Sequence, residues 1–382
     1  MPHTVRVTAA CFLAYFTMSA MLAPIGILTT PMAAHYGVSV TEATSWFSAL
    51  TLGILVGASG ALAIPATMNF RRLFVGLYLV LAAALATLAL QPAPVLLQAA
   101  LAVVGAGCGV GLAAAAVNIA RLYNGNQRAS LLVATDGCFS IAGSVTPWLA
   151  TTLLAASAPW GGVYAAIAAV AALIVALAGC SRFPQPDTGI GPVAVASERW
   201  PLTAWLGIVA LTCYTLGQYA ILFWLPNYLD STYGYPVTDG GALVGRFWTG
   251  MFVAQIAVSI IVLRLGTRVL LSVASVATMV GSIPLWQVAD LGQLRWLAMA
   301  WGIANLGLLK LALSFVTEQF KTPTPRLVSC VLLGATAGTA ISPSVTSHIV
   351  AMAGPAAALQ FGTGCHVLMC VLLVLALLRS RS

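Results

Sequence analysis

Charged side chains inside long apolar stretches are the features of this sequence that could carry chemistry. Asp136 lies in RASLLVATDGCFSIAGSVTP, eight residues beyond Arg128. At about 1.5 Å rise per residue, its carboxylate would lie about 12 Å inside a membrane whose hydrocarbon core is about 30 Å thick. An Asp at that depth is unfavourable by about 2.5–3.5 kcal/mol unless it has a cation, water or a proton. Asp136 is therefore interpreted either as a proton carrier or as one partner of a structural salt bridge.

Two basic residues are predicted at similar depth. Arg246 lies eight residues past Thr238, and Lys310 lies eight residues before Glu318. One interpretation is a buried bridge between Asp136 and Arg246 that fixes packing. The other interpretation is that two cations and one acid leave a net positive charge at this depth, which favours an anionic substrate. Arg is suited to a carboxylate because it can bind one in a bidentate way. In the second interpretation, Asp136 couples protonation to the release of one or both cations.

Polar and aromatic residues in the same apolar runs extend these candidates, with ordinary packing as the alternative for each. The candidate substrate-binding residues besides Arg246 and Lys310 are Gln218, Tyr214, Asn305, Ser140 and Trp248. The candidate gating residues are Arg71, Arg72, Arg121, Asn118 and Arg268. Pro147 and Pro343 are predicted to bend their helices, since proline removes a helical hydrogen bond.

A glycine-rich run at 105–111, GAGCGVG, superficially resembles a nucleotide-binding loop. It lies inside an apolar helix with no strand before it, so the dinucleotide-binding fingerprint does not apply. Small residues four apart instead predict close packing against another helix.

The composition excludes a soluble globular protein. The chain is 60% hydrophobic and only 6% charged, with a mean hydropathy of +0.99, whereas soluble domains are about 25% charged. Apolar runs of about 20 residues predict an all-α integral membrane protein, with a retained first helix from Val5. The eight cysteines and four histidines show no metal-ligand spacing, and neither a Walker motif nor a nucleophile elbow is found. The chain is thus predicted to be no enzyme, with no cofactor or metal.

Twelve transmembrane helices are predicted, in two repeats of six. The domains are an N-terminal six-helix bundle at 1–180, a cytoplasmic linker at 181–200 and a C-terminal six-helix bundle at 201–382. Thirteen of the 16 basic residues fall in the loops and tails on one side, so the positive-inside rule places both termini in the cytoplasm. Helix 1 is predicted at 5–29, helix 5 at 129–155 and helix 10 at 293–316, with an outer loop at 35–44.

The two halves are related in sequence. Residues 36–42, YGVSVTE, return as 233–239, YGYPVTD, and the same repeat offset relates Gly53 to Gly250 and Arg71 to Arg268. Thr41 and Thr238 are predicted to cap the helices that follow. Two repeats of this kind are typical of secondary transporters, which bind their solute where the repeats meet.

In these features the whole chain resembles the major facilitator superfamily. Four runs, YNGNQR at 123–128, TDGCFSIAG at 135–143, CYTLGQ at 213–218 and EQFKTPTPR at 318–326, resemble its TsgA-like branch, near the fucose-permease group. The resemblance implies that helices 5, 8 and 10 line a central cavity. The superfamily's Asp beside Arg71 and Arg72 is missing here. The acids that the fucose-permease group is expected to use in helices 1 and 4 are missing too, so the coupling acid would have to be Asp136.

The sequence therefore predicts a multi-pass secondary transporter of the cell inner membrane that moves a small, carboxylate-type anion by proton-coupled alternating access. The alternative is proton-antiport efflux of a drug or siderophore on the same fold. Its predicted partners are a small-molecule solute, protons and membrane lipid, with no nucleic acid, and it is predicted to be a monomer.

Overall fold

The computed structural model describes residues 3–64, 68–123, 125–183, 200–305, 307–320 and 325–380. Across these ranges all regular secondary structure is helical. The contacts divide the chain into two compact units, Met1–Val193 and Ala194–Ser382. Most of the predicted linker, at 184–199, lies outside the described residues.

The described residues of the N-terminal unit form seven helices. They are α1 His3–Leu22, α2 Ile25–Tyr36, α3 Val40–Ala61, α4 Phe70–Ala89, α5 Pro94–Leu122, α6 Gly125–Ala155 and α7 Gly162–Gly179. In this unit α3 packs against α5, α4 against α7, and α1 against α5, α6 and α7.

The part of the C-terminal unit that the structure describes also forms seven helices, with a 3-10 turn at Pro284–Trp286. They are α8 Leu202–Tyr233, α9 Val237–Leu265, α10 Thr267–Ser282, α11 Leu291–Ala304, α12 Leu308–Thr317, α13 Pro325–Ala353 and α14 Pro355–Arg379. A buried apolar core forms where α8, α10, α12, α13 and α14 meet, around residues such as Leu211, Leu271, Phe315, Val331 and Leu373.

Twelve segments of the described chain are long and apolar enough to cross a membrane. The predicted fold class, twelve transmembrane helices in an all-α protein, is confirmed. Pro147 and Pro343 are buried inside the continuous helices α6 and α13, and their bending role stays a prediction.

Several local predictions were wrong. The first helix breaks at Ala23–Pro24 and resumes as α2 up to Tyr36, so the predicted outer loop shrinks to the short link between α2 and α3. The cap of α3 is Ser39, whose side chain accepts a hydrogen bond from the amide of Glu42, and not Thr41. The residue before α9 is Pro236, which offers no side-chain cap, so Thr238 has no capping role either.

A further correction concerns predicted helix 10. It is interrupted after Ala304, and Gly307 adopts φ +63° before α12 begins at Leu308. Left-handed backbone of this kind is accessible to glycine without steric cost, which is how the chain can break a helix here.

The repeat offset reappears in the helix packing of each unit. A side chain added at Gly105 would meet the carbonyl oxygen of Leu50 at 2.0 Å, and one at Gly302 would meet that of Phe247 at 2.0 Å. A side chain added at Gly53 or at Gly250 would likewise meet a backbone carbonyl oxygen, at 2.5 and 2.2 Å, and the two carbonyls lie at equivalent places in the two repeats. These glycines let α3 and α5, and α9 and α11, approach closely. The packing predicted from the GAGCGVG run is confirmed.

The two repeats also correspond at the helix ends that lie away from the basic loops. Gly37 and Gly234, both with positive φ, end α2 and α8. The hydroxyl of Tyr36 donates to the carbonyl of Pro92 (2.6 Å), and that of Tyr235 donates to the carbonyl of Ala289, the repeat counterpart of Pro92 (3.1 Å). Each unit is thus tied together by a tyrosine at this end, although the two tyrosines are not themselves in exact register.

Candidate functional site

Asp136 lies on α6, which packs against α1 in the N-terminal unit. Its side chain is partly buried, and its neighbour Thr135 is buried. The Tyr15 hydroxyl shares a hydrogen bond with the Thr135 side chain and experiences the charge of Asp136. The acid therefore belongs to a polar group formed by α1 and α6 inside membrane-length helices.

The corresponding place in the C-terminal unit has no acid. Thr212, the repeat counterpart of Tyr15, donates to the carbonyl of Gly334 at 2.9 Å, and Thr215 donates to that of Ala335 at 2.6 Å. Leu332 and Leu333 stand where the repeat would place a counterpart of Asp136. The first unit carries a titratable group where the second carries only neutral hydrogen bonds.

The break between α11 and α12 positions two predicted residues. Asn305 is fully buried just past the end of α11, where its side-chain amide donates to the carbonyl of Trp301 at 2.7 Å. Lys310 lies in the first turn of α12, and its side chain is exposed. Its backbone amide donates to the carbonyl of Gly307 (2.9 Å). A cation therefore lies beside the N-terminus of a half-helix, whose backbone dipole is also positive at that end.

Aromatic residues and a histidine surround the last turn of α11. The ring of His366 on α14 lies 6.3 Å from that of Tyr214 and 5.9 Å from that of Trp301, measured between centroids. The ring of Phe247, on α9, lies 4.5 Å from that of Trp301. Within the described chain, both ring nitrogens of His366 and the hydroxyl of Tyr214 are buried without a side-chain hydrogen-bond partner. This is an aromatic cluster in which the Tyr214 hydroxyl has no hydrogen-bond partner among the described residues.

The remaining predicted substrate residues differ in exposure. Gln218 and Trp248 are buried in the C-terminal unit, at 3% and 1% exposed, and Ser140 is fully buried in the N-terminal unit. Arg246 is exposed on α9, just before the buried Phe247. Tyr214 thus lies in the aromatic cluster, which is next to Asn305. The side chains of Arg246 and Lys310 are instead exposed on the surface of the unit.

The predicted gating residues of the N-terminal unit lie near one end of its bundle. Arg71 donates to the carbonyl of Gly179 at the end of α7, and Arg72 is exposed beside it. Arg121 lies over the ring of Phe70, 4.8 Å from its centroid. Asn118 is fully buried and donates to the carbonyl of Ala114 (2.8 Å).

Arg268, the counterpart of Arg71, is exposed at the start of α10. A gating role for these residues stays a prediction. No group of three potential metal ligands occurs within the described parts of the chain.

Sequence reasoning missed Tyr15, Trp301 and His366 as site residues. Tyr15 and His366 are polar residues within apolar helices, which is the signal that singled out Asp136. Their neighbours depend on helix packing, and the sequence does not show which helices meet.

Twelve membrane-length spans among the described residues, divided between two units with repeated packing, define the fold of a secondary transporter. The chain belongs to the Major Facilitator Superfamily, whose family model matches residues 8–322.

Similar proteins include a Protein TsgA homolog of Erwinia tasmaniensis, 30% identical over 97% of this chain and 95% of the relative. Another homolog of that name, from Citrobacter koseri, is also 30% identical, over 97% of this chain and 94% of its own length. The resemblance to the TsgA-like branch is confirmed.

Two solved structures share the fold. The nucleoside transporter NupG matches with a TM-score of 0.75 at 12% identity, covering 98% of this chain and 99% of its own. A D-xylose-proton symporter matches with a TM-score of 0.75 at 13% identity, covering 99% of this chain and 96% of its own.

Proposed function

We propose that this protein is a proton-coupled secondary transporter of a small organic anion, of the carboxylate type, working by alternating access. We place it in the cell inner membrane with both termini and the 181–200 linker in the cytoplasm, and with a six-helix bundle on either side of that linker. The positive-inside distribution of basic residues supports this orientation.

The observation that carries the anion proposal is Lys310 in the first turn of α12. The half-helix begins inside a membrane span, so its backbone dipole and the ammonium group both present positive potential there. Half-helix N-termini within a membrane are a recurring way to hold anionic substrate groups in transporters. The guanidinium of Arg246, exposed on α9 of the same unit, adds a group suited to bidentate carboxylate binding.

The proton proposal is supported by the position of Asp136. A carboxylate inside a membrane span is costly, and such residues usually mark a functional site. The Asp136 carboxylate would take a proton from water on one side and return it to water on the other. The Tyr15 hydroxyl shares a hydrogen bond with the neighbouring Thr135 and lies within electrostatic range of the acid. Protonation then removes one negative charge from the polar group between α1 and α6.

Binding of anions is tested by thermal unfolding of the purified chain with a panel of mono-, di- and tricarboxylates, and with a neutral pentose and a nucleoside as comparison. A carboxylate that binds the folded state raises Tm by mass action. We expect that rise to be at least halved in Lys310→Ala and Arg246→Ala. It should persist in Arg295→Ala, which removes an exposed charge of the same unit beside Asp239. Equal stabilisation of all three variants, or stabilisation by the neutral compounds alone, would contradict the anion proposal.

Proton coupling is tested in proteoliposomes with an imposed pH gradient, using the carboxylate found above. We expect Asp136→Asn to keep counterflow of the solute but to lose accumulation against a gradient. Tyr15→Phe should shift the pH dependence of transport, since it removes a hydroxyl next to the acid. Full proton-driven accumulation by Asp136→Asn would refute the coupling role. Everted vesicles would report whether the proton gradient drives uptake or extrusion.

A further inference from the structure

A groove at one end of the N-terminal unit is used by none of the proposed transport steps. It has a volume of about 510 Å³ and lies between the start of α4 and the end of α7. Its lining residues are Asn69, Arg71, Arg72, Val75, Gly76 and Gly179.

Arg71 and Arg72 line this groove, and among the described residues no acid lies on the two helices that form it. Arg71 donates to the carbonyl of Gly179, and Arg6 donates to that of Cys180 at 3.1 Å. Arg72 is exposed, and so is Arg182, three residues past Gly179 in the chain. In the described part of the N-terminal unit the only acidic residues are Glu42 and Asp136. Glu42 is in the first turn of α3 and Asp136 is in α6, so no acid lies on α4 or α7.

The groove continues into an apolar surface along α4. Gly76 lines it, and nothing lies within 4 Å of the position a Cβ would take there. Leu79 and Val80, three and four residues on and hence on the same face of the helix, are each 54% exposed. The arginines and these side chains form a basic groove that opens onto an apolar face, at the end of a membrane-length helix.

We propose that this groove binds the phosphodiester headgroup of an anionic phospholipid. Arg71 and Arg72 hold the phosphate, and an acyl chain lies along Gly76, Leu79 and Val80. A guanidinium has five N–H donors, so Arg71 can keep its bond to Gly179 and still bind a phosphate oxygen. Basic pockets on the cytoplasmic side of membrane helices are suited to such headgroups, and each basic residue near the surface contributes about 1 kcal/mol. The lipid would link the ends of α4 and α7.

The test measures lipid binding to the purified full chain. Binding is monitored by native mass spectrometry and by thermal unfolding, with no solute and no pH gradient. The probes are phosphatidylglycerol, phosphatidylcholine and inorganic phosphate. We expect phosphatidylglycerol to bind and raise Tm, with phosphatidylcholine and phosphate giving less than half that rise. Removing Arg71 or Arg72 as Arg→Gln should weaken phosphatidylglycerol binding about fivefold, and removing both about 30-fold.

Two further variants separate this site from general charge effects. Arg268→Gln removes the counterpart of Arg71 in the other unit and should leave phosphatidylglycerol binding unchanged. Gly76→Leu fills the open space without altering charge and should weaken binding at least fivefold. Unchanged binding in the double arginine variant, or an equal loss in Arg268→Gln, would overturn the proposal. An equal rise in Tm with inorganic phosphate would show that the groove takes free phosphate and not a lipid.

Discussion

The close approach of α9 and α11 at Gly302 allows a quantitative test of the packing. An added methyl group at Gly302 would lie 2.0 Å from the carbonyl oxygen of Phe247, where ordinary contacts begin at 3.4 Å, so the two helices must move apart to admit it. The obstacle is backbone, which cannot move aside as the end of a side chain can. Overpacking of this kind costs about 1–3 kcal/mol. Gly302→Ala should therefore destabilise the protein, although alanine favours helix more than glycine does.

Gly364→Ala, on α14 of the same unit, is the matched control. Nothing lies within 4 Å of its added methyl group. The higher helix propensity of alanine should therefore stabilise this variant by about 0.5–1 kcal/mol, with no steric cost. Since 1 kcal/mol corresponds to about 2–4 °C in Tm for a domain of this size, thermal unfolding should separate the two variants by a few degrees. Gly105→Ala should behave as Gly302→Ala does. The reasoning fails if Gly302→Ala and Gly364→Ala unfold within one degree of each other.

Two further stability predictions concern hydrogen bonds. Thr215→Val keeps the shape of a buried side chain but removes its bond to a carbonyl of α13, and should cost about 1 kcal/mol in thermal unfolding. Thr336→Val, whose hydroxyl bonds only within its own exposed turn of helix, should cost less than half as much. Ser39→Ala removes the cap of α3 and should cost about 1 kcal/mol, with Thr41→Ala clearly milder. A larger effect at Thr41 than at Ser39 would contradict the cap assignment.

The membrane spans and the internal repeat could be predicted from the sequence. Apolar runs of about 20 residues identify membrane spans from composition alone. The repeat offset, seen first in YGVSVTE and YGYPVTD, relates contacts as distant from that motif as Leu50 with Gly105 and Phe247 with Gly302. This follows because two helix pairs that pack in the same register bring equivalent backbone atoms together.

The local breaks could not be predicted in the same way. A single glycine in an apolar run is usually tolerated within a helix, so Gly307 gave no clear signal that predicted helix 10 would divide. Tyr15 was missed for another reason. Its place next to Thr135 and Asp136 depends on α1 packing against α6, a contact between helices that are far apart in the chain.

The differences between the repeats are the strongest argument for where function lies. Packing glycines and tyrosine hydrogen bonds occur in both units, so they serve a scaffold that each unit needs in order to fold. Asp136 is replaced by leucine in the C-terminal unit, and α5 runs unbroken where α11 and α12 divide. Neither the acid nor the break is required by the helix packing, since the other unit is built without it. Both are costly inside a membrane. We propose that an ionisable group and a helix break of this kind, each present in only one of the two units, serve transport, which is why Asp136 and Lys310 are the first residues to change.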